Sequence, residues 1–155
     1  MKTHYLLPNK YKLLGWILFT VGLFCGLLMY IFGIDDQLMV TKVFSIYSDP
    51  FMGEAGFFKI IENGISDELV SVTIIIGGLL VGFTKEKIED EFIYKLRTES
   101  LVWAIIFNYV VLLFTIIFVY DMTFFNVLIF NMFTPLLFFI VRFNFLKLKS
   151  TSHEE

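Results

Sequence analysis

The chain is poor in the residues that most soluble chemistry requires. Its two histidines, His4 and His153, lie in the terminal tails, and its one cysteine, Cys25, sits inside an apolar run. That leaves no set of zinc ligands, no Cys-His nucleophilic pair and no intrachain disulfide. Phe24 precedes Cys25 where a lipidated cysteine needs a small residue, so lipoprotein processing is not expected. A phosphate-cradling glycine loop and a metalloprotease helix are both missing. No cofactor, no metal and no direct nucleic-acid binding are expected, and no residue qualifies as catalytic. Charged residues make up 17% of the chain, and none of the 15 acidic ones lies deep in an apolar run, which argues against a proton-coupled carrier.

What is present is apolar. Hydrophobic residues form 57% of the chain, Phe alone contributes 20, and the mean hydropathy is +0.78. Such a composition excludes both a soluble globular domain and a disordered chain. Four runs hold most of it: Leu13 to Ile34, Leu69 to Phe83, Leu101 to Tyr120 and Met122 to Phe145. Each approaches the ~20 residues that cross a bilayer as a helix. The first run is too long for a signal peptide and lacks a small-x-small cleavage site, so it reads as a retained helix. The expected fold is all-α, one integral membrane bundle over residues 1–155, with helices at about 13–34, 67–84, 99–120 and 122–146.

The charges orient it. Of the 12 basic residues, ten fall in the amino tail, the segment between runs two and three, and the carboxyl end, while only Lys42 and Lys59 fall elsewhere. By the positive-inside rule the termini and the middle segment are cytoplasmic and residues 35–66 form an outer loop. That loop is acidic, with Asp35, Asp36, Asp49, Glu54 and Glu62. Phe44, Ile46, Phe51 and Phe57 to Ile61 make it too apolar for a free linker. Phe57 to Ile61, closed by Asn63-Gly64, reads as a short amphipathic turn or helix on the outer leaflet. The third and fourth runs meet at Asp121 as a tight antiparallel hairpin.

Small residues suggest the packing. Gly15, Gly22, Gly26 and Gly33 share one line along the first helix, and Ser71, Gly78 and Gly82 repeat the spacing on the second. The reading is close packing of these two helices against each other, with a homodimer through either stripe as the alternative. Runs three and four have no glycine and must pack otherwise. Asn108 and Asn131 approach the same depth with Thr134 nearby, which suits interhelical hydrogen bonds, or else a small polar pocket. Pro135 is expected to kink the fourth helix. Arg142 is an interface anchor that snorkels to the headgroups.

Between runs two and three, Lys85 to Arg97 contains no Gly, Pro or Asn, and Ile88, Phe92 and Leu96 recur every four residues. This predicts an amphipathic interfacial helix over 85–97, supported by opposite charges at four-residue spacing, with Thr98 capping the third span. Lys85-Glu86-Lys87-x-Glu89-Asp90-Glu91-x-Ile93-x-x-Leu96-Arg97-x-x-Ser100, followed by Trp103, resembles the signature of small, functionally uncharacterised bacterial membrane proteins with four spans. A weaker similarity lies around Tyr11, Lys12, Gly15 and Trp16. The resemblance implies an inner-membrane location. Some proteins of this wider kind are similar to partners of small helix-turn-helix regulators, which implies a cytosolic regulator as partner. The expected function is that of a non-enzymatic regulatory or accessory membrane protein, docking through Glu86, Glu89, Asp90, Phe92 and Arg97, in contact with membrane lipid and open to homo-oligomerisation. The alternative is a small-molecule or lipid transporter or oligomeric pore built around Asn108, Asn131 and Arg142.

Overall fold

A computed structural model of the chain describes residues 5–33, 39–48 and 55–151. His4, His153, Asp35, Asp36, Asp49, Phe51 and Glu54 lie outside the described residues. A short 3-10 turn leads into α1 (Lys12–Phe32), followed by β1 (Val40–Ser48), β2 (Gly56–Gly64), α2 (Ser66–Phe83), α3 (Glu91–Phe118) and α4 (Asp121–Thr151). The four α-helices are all long and apolar enough to cross a membrane, the mark of a multi-pass membrane protein. At 1.5 Å per residue α1 and α2 reach about 32 and 27 Å, whereas α3 and α4 reach about 42 and 46 Å. The first pair just matches a hydrocarbon core of roughly 30 Å, and the second pair outruns it.

Helix α1 packs against α2, α3 against α4, and α2 touches α4. The starts of α1 and α3 and the ends of α2 and α4 gather at one end, here called the basic end, where residues 7–12, 83–97 and 147 meet. At the opposite end only Val119 and Tyr120 link α3 to α4, with Asp121 at a φ of +60°, a conformation that Asp tolerates better than most residues.

The contact between α1 and α2 is made backbone to backbone. A Cβ added at Gly15 would lie 2.9 Å from the Val81 nitrogen, one at Gly22 3.0 Å from the Ile74 nitrogen, and one at Gly77 2.4 Å from the Phe19 nitrogen. The expected pairing is therefore present, yet α2 reaches it through Gly77 rather than through the stripe of Ser71, Gly78 and Gly82. Gly78 and Gly82 turn instead toward α4, where Leu136 and Phe139 fill the space a side chain would need. Adjacent glycines on a helix point about 100° apart, so Gly77 and Gly78 serve two neighbours at once. Gly33 is no packing residue. It ends α1 in the left-handed conformation, with a φ of +56° and nothing within 4 Å.

The buried core lies toward the basic end. Phe139, Ile140 and Phe143 of α4 meet Val81 of α2, Leu96 and Ala104 of α3, and Phe19 of α1. Phe83 and Phe139 pack 5.7 Å apart across α2 and α4, and Phe107 stacks on Phe138 at 4.5 Å across α3 and α4. Ring stacking thus supplies, in the glycine-free pair, the close contact that glycines supply between α1 and α2. Pro135 lies within α4, which continues as helix on both sides.

The segment expected to hold a short helix at Phe57 to Ile61 is β-structure. Strands β1 and β2 form an antiparallel hairpin whose register runs from Val40 opposite Gly64 to Ser48 opposite Gly56. Val40, Thr41, Val43, Phe44, Ile46 and Tyr47 are β-branched or aromatic, and such residues favour a pleated surface over a helix. Asn63 and Gly64, read from sequence as a stop signal, are paired inside the ladder with Thr41 and Val40. The ladder lacks a pair at Ile46 and Phe58, where Phe58 has a φ of +54°.

Candidate functional site

The polar centre of the molecule is the basic end. Residues 84–90 are not helical, and α3 begins only at Glu91 and runs unbroken through Thr98 to Ser100. The expected interfacial helix over 85–97 is thus replaced by an extended connector followed by an early start of the third span. The segment pairs instead with the amino-terminal residues. Leu7 donates its N–H to the Phe83 carbonyl and accepts from the Lys85 N–H, both at 2.9 Å, which stitches the amino-terminal segment alongside Thr84. Asn9 adds a bond from Nδ2 to the Lys85 carbonyl at 2.7 Å. This pairing holds the chain extended at Thr84, with a φ of −97° and a ψ of 140°, and the helical ladder does not start there. It starts where Asp90 accepts from the Ile93 N–H at 2.8 Å, as an N-cap does. Thr98 is no cap, because its hydroxyl donates to the Tyr94 carbonyl within α3.

The charged side chains of the connector turn inward. Glu89 accepts from the Glu86 N–H at 2.8 Å and from both terminal nitrogens of Arg97, at 2.5 and 3.1 Å. Arg97 is 3% exposed, lies over the Phe143 ring and reaches toward the Thr84 carbonyl. Its Nε and the Thr84 hydroxyl are buried without a partner. Glu86 bridges Lys12 of α1 and Lys147 of α4, the latter at 3.2 Å. Burial opposes ionisation of Glu86, but the hydrogen bond and charge of Lys12, with Lys147 behind them, hold its carboxyl below the usual carboxylate range.

Of the five residues assigned to partner docking, Glu86, Glu89, Asp90 and Arg97 are therefore engaged within the molecule, and Phe92 points outward. Lys12 and Lys147 as ligands of Glu86 are not legible in the sequence, where they stand among the charges that orient the chain. No spacing rule connects residues so distant along the chain. Nor is Ile88 legible there as an exposed partner of Phe92, since the helical stripe would have put both against the membrane.

The intramembrane polar residues divide. Arg142 donates to the Ser100 hydroxyl at 3.1 Å and lies over the Trp103 ring, which holds it near the basic end of α4. Together with the Phe107–Phe138 stack, this contact sets the antiparallel register of α3 and α4. By that register Asn108 faces residues 134–137, and Asn131 lies roughly one helical turn nearer the hairpin end. The two amides therefore do not share a depth. Asn108 Oδ1 and Asn131 Nδ2 are buried without a partner, and Thr134 donates to the Phe130 carbonyl of its own helix. Thr134 also lines an apolar groove of about 580 Å³ between α1, α2 and α4, with Leu23, Tyr30, Val70 and Phe133.

No protein-family model, curated protein or solved structure matches this chain.

Proposed function

We propose that the chain is a four-span bundle of a bacterial cytoplasmic membrane, with both termini inside, acting as a non-enzymatic accessory or regulatory protein that docks a soluble partner at its basic end. The observation that carries this reading is the exposure of Ile88 (77%) on the connector and Phe92 (52%) in the first turn of α3, beside Glu86 and Glu89, whose charges are paired within the molecule. Phe92 precedes Trp103 by eleven residues of α3, about 16 Å along the axis. Trp103 and Arg142 suit the membrane interface, so Phe92 and Ile88 stand beyond it on the water side. Two exposed apolar side chains, with Glu91 beside Phe92 and Lys87 beside Ile88, have the form of a small interface core with a polar rim. The side chain of Phe92 survives from the sequence-level docking set; Glu86, Glu89 and Arg97 become the frame that presents it.

The test is affinity capture from native membranes with the intact chain beside Ile88→Ser/Phe92→Ser. One soluble protein bound to the first and missing from the second is expected. Identical capture by both, or none by either, rejects the docking reading. Charge reversal at Glu86 or Arg97 is a test of the frame and not of the surface.

A second reading, a lipid or small-molecule pathway or an oligomeric pore, draws support from the unpartnered amide atoms of Asn108 and Asn131. Flux that disappears in Asn131→Leu while the fold persists would favour it; unchanged flux would remove it.

A further inference from the structure

We infer that the cleft at the basic end is a binding site for a phosphate-bearing anion, and specifically for the headgroup of an anionic lipid. The cleft, of about 800 Å³, lies between the amino-terminal segment, the connector and the last turns of α4. Four lysines line it, Lys10, Lys12, Lys87 and Lys147, against two carboxylates, Glu86 and Asp90, a surplus of two positive charges. Glu86 lies between Lys12 and Lys147 and holds them in the wall, while Lys10 and Lys87 are exposed at the rim. Each ammonium carries three donors, and Lys12 uses one of them on Glu86. Asp90 commits a carboxylate oxygen to the Ile93 N–H, so its charge is partly spent on capping α3.

The other wall decides the class of ligand. Leu13 and Trp16 line the same cleft one turn or less below Lys12, and Leu13 is 72% exposed on the outer face of α1. A lipid whose phosphate meets the lysines therefore has an apolar wall under it for the start of its acyl chains, with a tryptophan at the level where tryptophans sit in interfaces. A free phosphate has no use for that wall. Basic pockets between spans on the cytoplasmic side are suited to anionic headgroups, since each Lys near an anionic surface adds attraction. The inference rests on the four helices crossing the bilayer with the basic end inside; Ile88 and Phe92 line the water-side end of the same cleft, whereas the lipid test reads Lys10 and Lys87 and so fails separately from the docking test.

The test uses the full chain purified in a neutral detergent, with native mass spectrometry after addition of phosphatidylglycerol, phosphatidylcholine or inorganic phosphate. Bound phosphatidylglycerol is expected, with roughly 30-fold weaker binding by Lys10→Gln/Lys87→Gln, the loss of two surface basic contacts. Both positions are exposed and outside the ion-pair frame, so that variant keeps its fold; a thermal melt checks this. A control of equal charge change outside the cleft, Lys95→Gln/Lys149→Gln, should bind as the native chain does. Equal binding of phosphatidylcholine, or equal losses in both double variants, overturns the site. Binding of inorganic phosphate with the same sensitivity to Lys10 and Lys87, and no preference for lipid, overturns the headgroup assignment and leaves a soluble anion. Absence of the chain from the membrane fraction would mark failure of the four-span reading itself.

Discussion

Lys147 Nζ lies 3.2 Å from Glu86 Oε2 and so ties the last turns of α4 to the connector between α2 and α3. Lys12 binds the other oxygen of the same carboxylate from the start of α1. One side chain thus joins both helix pairs at the basic end, and its protonation should be felt throughout the molecule.

The pH dependence follows from the sign of the shift at Glu86. Its folded-state value is held below the unfolded one, near ~4.3, so its stabilisation is complete above that value and is lost as pH falls through the lower, folded value. Glu86→Gln should melt below the native chain at neutral pH, and the gap should close as the solution is acidified through the lowered value of the Glu86 carboxyl. Melting curves of both proteins between neutral and acid pH check this; a constant gap contradicts it.

Arg97 and Glu89 form a pair that is costly to break from one side. Arg97→Met leaves a largely buried carboxylate without its cation and should destabilise by about 3 kcal/mol. Glu89→Gln/Arg97→Met should recover part of that loss, since two neutral groups replace an orphaned charge. A double-mutant cycle by thermal or denaturant unfolding in detergent measures the coupling.

Gly77 tolerates no side chain without movement of α1, because the obstructing atom is the Phe19 backbone nitrogen. Gly77→Ala should cost about 1–3 kcal/mol, the range for overpacking. Gly26→Ala, whose new methyl would meet only side-chain atoms, of Val70 at 3.2 Å and Ile74 at 3.7 Å, should cost less. Comparative melting temperatures decide it, and equal losses would count against backbone contact as the cause.

Asn131 offers the opposite sign. Its buried Nδ2 lacks a partner, and leaving such a group unsatisfied costs ~1–3 kcal/mol. Asn131→Leu should melt at or above the native temperature. A clear drop would mean that the amide holds the helices together.

The sequence alone determined that four helices would be long and apolar enough to cross a membrane, because a span needs only a run of apolar residues and every backbone bond is made within the segment. It also favoured a close approach of α1 and α2 over a homodimer through either stripe, since glycines on a shared line leave bare backbone at a known angle. What it did not determine was which neighbour each glycine serves: Gly77 rather than Gly78 meets the backbone of α1, a difference set by how the helices rotate about one another. The same limit applied to the polar residues. Asn108 and Asn131 seemed level when counted from the ends of their runs, but the Arg142–Ser100 and Phe107–Phe138 contacts set a different register. The segment after Phe83 has every local feature of a helix. Only the assembled structure brings Leu7 and Asn9 to the Lys85 backbone and Lys12 and Lys147 to Glu86, and those bonds, between residues far apart in the chain, outweigh the few tenths of a kcal/mol that each helical charge pair offers. Local propensity is readable residue by residue, whereas a hydrogen bond between distant segments exists only once the chain has folded.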